Sequence, residues 1–425
     1  MYWLVEDDSQ FDVLLNSSYK KAFIEVIPSS HNIHPANNHV SLVYIRPIEA
    51  SKGFMLGVCH NETLNVISTR ITEIIKKFEV LYCRDKKEML HYFPTKALYD
   101  ISPTSNMYIQ PTTKAHEVLH RIHKDKLNVN QFVPIVKHYE VAEQIFLDLK
   151  ANINKVDDYG KFFNSRTAVV FNRIESNGIS IQKDIFSKHF HIENGPKVYT
   201  NYNLCTTTKR PSNVYKNVNY GALSKKDDCR QSFIPTNDVF YEYDIRSYHP
   251  TLSSYLINYR FPNMVDIHSH LAELYKVDYK TSKTLTFRQL YGGILDEYKD
   301  IEFFKRIDIY VNQLWKEFNS KGYIECKISK YRFKKDELKD MNAQKLFNYV
   351  LQNLESSLNV VMMYEMLKIL ENKKTKLVLY CYDSFLYSVD ESELEVMKEI
   401  EDVFTKNKLY ISKKRGLDYG SMEDF

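Results

Sequence analysis

The segment Val239-Phe240-Tyr241-Glu242-Tyr243-Asp244 consists mainly of aromatic and β-branched residues and ends in a carboxylate. Such residues favour a buried strand, where a charge is costly to bury unless it has a partner. A second apolar run, 377–389, is interrupted by Tyr382-Asp383-Ser384, the pattern of a hairpin with Asp383 at its tip. The two segments therefore predict two strand-end aspartates, Asp244 and Asp383.

Adjacent strands that bring these aspartates together would create a site for two divalent cations about 3.5–4 Å apart. Such a pair of ions stabilises the attacking and leaving oxygens in phosphoryl or nucleotidyl transfer. The backbone carbonyl of Ile245 could supply a further oxygen ligand. Either aspartate alone is more often a turn-capping side chain, so the metal interpretation depends on the residues around the pair.

A stripe of one cation and two aromatic rings is expected between the two aspartates. Lys283, Phe287 and Tyr291 recur every four residues, and this spacing places them on one face of an α-helix. A nucleoside triphosphate against that face would find a charge for its phosphates and a stacking surface for its base or sugar. A helix with two buried aromatics and a solvated lysine is the plainer alternative.

Composition and charge exclude several classes of protein. The 425 residues suit two or three domains, and 44% apolar with 26% charged residues argue against disorder, collagen and coiled coil. No apolar run reaches the roughly 18 residues of a membrane span, and the start is acidic where a signal peptide would be basic. The six cysteines lie far apart without a C-x-x-C pair. We expect a soluble, cytoplasmic protein with reduced thiols and no membrane partner.

The pattern of the sequence changes along the chain. Short β-rich runs at 22–27, 40–45 and 53–58 precede a helix at 71–77 and a strand at 79–83, and helical spacing continues from 141 to 173. Beyond 201, single strands alternate with helices expected at 267–277, 280–290, 301–320 and 342–372. After the strand that ends at Asp244, a turn is expected at His249-Pro250. This order predicts a multidomain α/β protein.

The second half of the chain resembles the family A DNA polymerases, the DNA polymerase I family. Four motifs carry the resemblance, in chain order: Tyr243 to Pro250 (first catalytic aspartate), Asp266-Ile267-His268 (D-I-H), Lys283 to Gly292 (K-x-x-x-F-x-x-x-Y-G) and Tyr382-Asp383-Ser384 (second catalytic aspartate). The resemblance implies that Asp244 and Asp383 bind two Mg²⁺ ions, with Mn²⁺ as a substitute. It also implies that Lys283 and His268 bind phosphates and that Phe287 and Tyr291 shape the nucleotide pocket.

Weaker fragments are similar to the segments of that family that contact primer duplex. They are 206–212 (T-x-T-G-R-L-S), 230–233 (R-x-x-F), Asn348 with Gln352 (N-x-x-x-Q) and 173–179 (M-E-x-x-G-I). The resemblance implies DNA contacts by Thr208, Lys209, Arg210, Arg230, Asn348 and Gln352. Basic residues also concentrate here, six against two acidic ones in 201–235 and eight against four in 321–345, although such blocks can be solvated faces.

Three positions depart from the family pattern. His249 replaces the family glutamate beside the sugar, and its bulk still indicates exclusion of a 2′-hydroxyl and use of deoxynucleotides. Tyr279 replaces an arginine, which leaves the distal phosphates to Lys276, Lys280 or His268. Ser384 replaces an acidic residue after the second aspartate.

Chain length is a further departure. About twenty residues separate 181 from 201, where the family places a long helical thumb that holds duplex by its phosphates. We therefore predict low processivity or dependence on a partner. The implied architecture is a helical linker and reduced thumb at 146–200, followed by a right-hand polymerase at 201–425. That region has an antiparallel palm sheet and helical fingers at about 266–325.

The segment before a family A polymerase is often a 3′–5′ exonuclease with an RNase H-like fold, and the strand pattern of 1–145 is compatible with it. Its two-metal chemistry needs about four clustered carboxylates. Glu25 lies in a predicted strand, but Asp85, Asp100 and the pair Glu140 and Glu143 are scattered. We expect an RNase H-like domain at 1–145 without nuclease activity.

The most concrete hypothesis is a template-directed DNA polymerase that adds dNTPs to a primer on template DNA. A processivity or replisome partner is expected, and compact size favours a phage or other mobile element. One alternative is a phage-type single-subunit RNA polymerase, which is similar in its lysine-to-tyrosine spacing and its aspartate-serine pair. Another is a non-catalytic nucleic-acid-binding protein derived from a polymerase.

Overall fold

The computed structural model describes residues 2–30, 32–65, 69–103, 116, 119, 129–155, 157–190 and 195–425. The chain divides into two compact units, Met1–Asn172 and Arg173–Phe425, each with its own sheet and helices, which confirms a multidomain α/β protein. The expected three-part assignment at 145 and 200 stays a prediction. In the described part of the chain, no helix is long and apolar enough to cross a membrane.

The first unit is built on a six-stranded sheet with helices on both faces. Its strands are β1 (Trp3–Val5), β2 (Lys21–Pro28), β3 (Val40–Pro47), β4 (Phe54–Gly57), β5 (Val80–Cys83) and β6 (Leu98–Asp100), in the order β1-β4-β3-β2-β5-β6. β2, β3 and β4 pair antiparallel, whereas β5 is parallel to β2 and to β6, and β1 is parallel to β4. Its helices are α1 (Asp8–Leu15), α2 (Ile71–Lys77), α3 (Lys86–Tyr92), α4 (Ile135–Leu149) and α5 (Asp158–Phe162).

The central strand β2 has two buried faces because both of its alternating sets of residues are mainly apolar, with Glu25 as a buried exception. Ala22, Ile24 and Val26 belong to a core cluster that also contains residues of α1, α2 and α3. Phe23 and Ile27 belong to a second cluster with the apolar side of α4. Continuous apolar runs are typical of strands covered on both faces. This explains the lack of alternation in the sequence of β2.

The second unit contains a five-stranded antiparallel sheet, formed by β13 (Val239–Ile245), β16 (Lys376–Cys381), β17 (Ser384–Val389), β18 (Ile411–Gly416) and β19 (Glu423–Asp424). Their order in the sheet is β16-β17-β13-β18-β19. The shorter strands of this unit are β7 (Ile179–Ile181), β8 (Lys197–Val198), β9 (Tyr202–Asn203), β10 (Ser212–Tyr215), β11 (Val218–Asn219), β12 (Phe233–Ile234), β14 (Tyr323–Glu325) and β15 (Arg332–Lys334). The large sheet therefore joins the two segments that carry the predicted aspartates.

One helix, α6 (Ala168–Asn177), spans the boundary between the two units. The helices of the second unit are α7 (Lys183–His189), α8 (Tyr248–Leu256), α9 (Ile267–Tyr275), α10 (Tyr279–Gly292), α11 (Glu302–Lys321), α12 (Ala343–Ile369) and α13 (Leu394–Lys406). Side chains that cap helix N-termini set three of the starts: Asp266 for α9, Asp278 for α10 and Asn342 for α12.

Two local expectations are wrong. The helical spacing from 141 to 173 is not one helix, because α4 ends at Leu149 and α5 begins again at Asp158 behind the cap Asp157. His249-Pro250 is not a turn either. The chain turns at Ser247, which has a left-handed φ of 47°. Pro250 lies in the first turn of α8, where backbone N–H groups make no intrahelical hydrogen bond, so a proline there costs the helix none.

Candidate active site

The two strand-end aspartates meet at one end of the large sheet. β13 and β17 are antiparallel neighbours in a register that places Asp244 opposite Ser384, the residue after Asp383. The backbone N–H of Ile245 donates to the carbonyl of Asp383 at 2.9 Å. The tight turn between β16 and β17 is closed by Tyr382, whose φ of 62° is left-handed. The predicted hairpin, with Asp383 at its tip, is confirmed.

Both aspartates line one cavity of about 600 Å³. Its wall combines residues from β13, α9, α10, the hairpin tip and β18, including the predicted site residues Asp244, Ile245, His268, Lys283, Phe287 and Asp383. Residues more than a hundred positions apart in the sequence therefore share one solvent-filled space. A cavity of this volume falls in the range of small-molecule sites.

The carboxyl groups in this cavity resist ionisation. The pKa of Asp244 is raised to about 7, first by burial and then by the neighbouring charges of Asp383 and Glu242, while Lys283 and Lys225 act in the opposite direction. Desolvation by the surrounding protein also raises the pKa of Asp383. Like-charged carboxylates held together gain from a shared cation, which removes their repulsion. The pair is therefore suited chemically to a divalent ion.

The number of protein ligands is small. Among the residues that the structure describes, no group of three or more His, Cys, Asp or Glu side chains is arranged to hold a metal ion. Mg²⁺ is commonly bound through one or two carboxylates, with substrate phosphates and water completing its shell. The two aspartates fit that donor set.

The predicted stripe on α10 is present. Lys283 and Phe287 line the cavity, and the rings of Phe287 and Tyr291 stack with centroids 5.7 Å apart and an interplanar angle of 14°. Tyr279, in the first turn of α10, also lines the cavity. One helix face thus carries a cation and a continuous aromatic surface.

His268, on α9, lies next to this stripe, and the centroid of its ring is 5.8 Å from that of the Phe287 ring. The residue is 2% exposed, and neither ring nitrogen has a hydrogen-bond partner in the described part of the chain. Burial lowers its pKa to about 4, and the charge of Lys283 acts in the same direction. The imidazole is therefore neutral near pH 7, so it could offer one N–H to a phosphate but no charge.

His249 contacts the other end of the stripe. Its Nδ1 is hydrogen-bonded to the hydroxyl of Tyr291, and its Nε2 lies 2.8 Å from a carboxylate oxygen of Glu355. Glu355, on α12, is 1% exposed. No local signal in the sequence marks this glutamate, because it is one polar residue in a long mixed helix.

The residues predicted to contact DNA are distributed unevenly. Arg210 lies 3.1 Å from Glu355, and Asn348 donates to the backbone carbonyl of Tyr291 at 2.9 Å, so both lie next to the stripe. Gln352 is one turn beyond Asn348 on α12. Their contacts with DNA stay predictions.

The remaining three DNA-contact candidates have other local roles as well. The carbonyl of Thr208 accepts from Asn353 at 3.0 Å. Lys209, at a left-handed φ of 59°, lies over the ring of Tyr331 at 4.9 Å. This position is a glycine in the family segment, and glycine adopts such a φ without strain. Arg230 donates twice to the carbonyl of Leu223, at 3.0 and 3.2 Å.

In the first unit, the scattered carboxylates each have a structural contact. Glu25 is 1% exposed and forms an ion pair with Arg84 at 2.5 Å. The side chain of Asp85 caps the N-terminus of α3, and that of Asp100 accepts a hydrogen bond from the backbone N–H of Lys86 at 2.9 Å. Glu143 is bound to Tyr44 and to Arg46. Each of these four acids therefore has a structural partner in the first unit.

Comparison with known proteins places the fold in the class of DNA polymerase domains. The chain is similar to the POL domain of Pol1 from M. smegmatis, solved in complex with DNA primer-template and dNTP. The TM-score is 0.68, with 98% of this chain and 99% of that chain covered, at 10% sequence identity. No family model matches the sequence, and no curated protein matches it either. The likeness confirms the polymerase fold expected from the order of the motifs.

Proposed function

We propose that this chain is a template-directed DNA polymerase that adds dNTPs to the 3′ end of a primer. The observation that carries the proposal is the convergence of Asp244, Asp383 and Lys283 on one cavity within a polymerase fold. Their order in the sequence, and the aromatic stripe between them, support assignment to the family A type.

Two divalent cations, held by Asp244 and Asp383 with the carbonyl of Ile245, would supply charge stabilisation for nucleotidyl transfer when bound. The protein's own groups do the binding and alignment. Lys283 neutralises phosphate charge, and His268 donates a hydrogen bond to phosphate in its neutral form. Little covalent chemistry is required of the protein, because positioning and electrostatic stabilisation dominate phosphoryl-transfer catalysis.

The aromatic residues shape the nucleotide pocket. Phe287 and Tyr291 present a flat surface against which a base or sugar can stack. His249, fixed against Tyr291, stands at the sugar and excludes a 2′-hydroxyl. Arg210, Asn348 and Gln352 contact the primer duplex near its end, together with Thr208, Lys209 and Arg230.

Primer extension by the wild type and by Asp383→Asn tests the proposal. We expect dNTP addition directed by the template, and a loss of at least about a thousandfold in Asp383→Asn, because one of the two metal-binding carboxylates is removed. Asp402→Asn, an equal charge change on α13, should keep wild-type activity. Each reaction is run with dNTPs and with rNTPs.

The outcomes separate the alternatives. Preference for rNTPs would favour an RNA polymerase. Binding of primer-template without any nucleotide addition would favour a non-catalytic nucleic-acid-binding protein. Activity of Asp383→Asn equal to that of the wild type would contradict the assigned site.

We further propose that the first unit is an RNase H-like domain without exonuclease activity. The central β2, with antiparallel β3 and β4 on one side and parallel β5 and β6 on the other, supports the fold. The Arg84 guanidinium beside Glu25 supports inactivity, because a fixed cation at the carboxylate opposes a metal ion there.

A primer with a mismatched 3′ end, incubated with Mg²⁺ and no dNTP, tests this assignment. We expect no release of nucleotides from the wild type. Release that disappears in Glu25→Gln would show a working nuclease and contradict the proposal, whereas release that persists in Glu25→Gln and in Asp383→Asn comes from a contaminant.

The biological setting follows as part of the proposal. We propose replication of a phage or mobile-element genome, with primer-template DNA and dNTPs as partners and a processivity or replisome protein as an additional one. The assignments of 1–145, 146–200 and 201–425 belong to the same proposal.

A further inference from the structure

A buried glutamate connects the parts of the candidate site that lie away from the metal-binding aspartates. Glu355 is 1% exposed on α12. Its Oε2 lies 2.8 Å from His249 Nε2 and 3.1 Å from Arg210 Nε, and its Oε1 lies 3.2 Å from Arg210 Nη2. Both carboxylate oxygens are therefore engaged, and the arginine supplies the opposite charge that a buried carboxylate needs.

These contacts fix the orientation of the His249 ring. An imidazole can rotate about its side-chain bonds, but here Nε2 is bound to Glu355 and Nδ1 to Tyr291. In the neutral ring, the Nε2–H donates a hydrogen bond to the carboxylate of Glu355, and Nδ1 accepts one from the Tyr291 hydroxyl. No other rotamer of His249 would keep both hydrogen bonds, because the two partners lie on opposite sides of its ring.

Arg210 extends the same network toward the hairpin tip. Its guanidinium lies over the ring of Tyr382 at 3.7 Å, and Tyr382 immediately precedes Asp383. Glu355 thus connects the residue at the proposed sugar position, the nucleotide helix and the hairpin. Buried ion pairs contribute little net stability compared with apolar packing, so a role in geometry explains this arrangement better than stability does.

We propose that Glu355 is a positioning residue that sets the discrimination between deoxyribonucleotides and ribonucleotides by holding His249 in place. The inference rests on the proposed polymerase function. Exclusion of one hydroxyl requires a side chain fixed to within a fraction of an ångström, because a ring that can move aside leaves room for the extra oxygen. Without Glu355, His249 keeps its bulk but loses its fixed orientation.

Single-nucleotide incorporation by Glu355→Gln tests the inference. The substitution keeps the shape but places an amide donor against the donors of Arg210. We expect the ratio of kcat/KM for dNTP to that for rNTP to fall at least about tenfold, mainly through a lower KM for rNTP, with kcat for dNTP changed less. Ser357→Ala, a buried polar substitution on the same helix, should leave the ratio unchanged.

A double-substitution cycle with His249→Ala separates a positioning role from a merely structural one. If Glu355 acts through His249, then Glu355→Gln in the His249→Ala background lowers the ratio no further. Additive losses, or an unchanged ratio in Glu355→Gln, would overturn the inference. If Glu355→Gln does not fold, Glu355→Asp is measured instead. This substitution keeps the charge but shortens the side chain, which moves the carboxylate away from His249. The ratio of kcat/KM for dNTP to that for rNTP is again the deciding measurement.

Failure of the inference differs from failure of the proposed function. A wild type that adds no nucleotide to a primer refutes the polymerase proposal itself. A wild type that extends primers, with a sugar ratio insensitive to Glu355, refutes only the positioning role.

Discussion

At the scale of single residues, Asp244 and Asp383 are the proposed metal-binding groups. Asp244 is the penultimate residue of β13, Asp383 lies in the turn between β16 and β17, and the sheet register brings them to the same cavity. Burial makes both carboxyl groups weaker acids than usual, and the charge of Asp383 acts in the same direction on Asp244. Protonation of Asp244 therefore competes with cation binding close to neutral pH.

The competition gives a pH-dependent requirement for Mg²⁺. The pKa of Asp244, about 7, means that this carboxyl holds a proton at lower pH and must lose it before a cation binds. We expect the Mg²⁺ concentration for half-maximal primer extension to be constant above pH 8. It should rise about tenfold per unit below pH 7 if one proton is displaced.

Titrations of Mg²⁺ at pH 6, 7, 8 and 9 measure this dependence. The extent of DNA binding without Mg²⁺ is the control, since it reports any loss of folded protein at low pH. Equal half-maximal concentrations at pH 6 and 8 would contradict a raised pKa at the site.

At the scale of elements, α10 shows how a four-residue spacing becomes a binding surface. Lys283 and Phe287 line the cavity while Thr286, Gln289 and Leu290 are buried. The helix thus anchors one face in the protein and presents the other to the cavity. Its cap Asp278 sets the start and hence the phase of the stripe.

The charge on this stripe has a measurable effect. We expect Lys283→Met to lower kcat/KM for dNTP about 10- to 100-fold, the usual range for a lost charge-assisted hydrogen bond to phosphate. Arg288→Met, an exposed cation on a different face of α10, is the matched control and should have little effect. Steady-state incorporation kinetics measure both, and equal losses would show that α10 contributes general charge rather than a specific contact.

At the scale of the whole molecule, the short segment between β7 and β9 is the basis for an expected weak hold on DNA. In its described residues, this segment contains the seven-residue α7 and the two-residue β8. Retention of duplex between additions depends on contacts with the phosphate backbone, and few can come from so short a segment.

Processivity is therefore expected to be low. In an assay with excess trap DNA, the protein alone should make on the order of ten additions per encounter, and fewer as salt rises, because phosphate contacts are screened. Single-hit conditions, checked at two enzyme concentrations, are the control. Hundreds of additions per encounter by the protein alone would contradict this prediction.

Local patterns in the chain were sufficient to predict β13, the hairpin of β16 and β17, and α10, together with the acidic and aromatic residues they carry. Helical or strand periodicity and turn residues depend only on residues close in the sequence, so these elements can be predicted without knowledge of the tertiary structure. The partners of buried charges could not be predicted in this way: Glu355 with His249 and Arg210, and Glu25 with Arg84. Those pairs depend on sheet register and helix packing between distant segments, because a buried charge is stabilised by whichever group the folded chain brings to it.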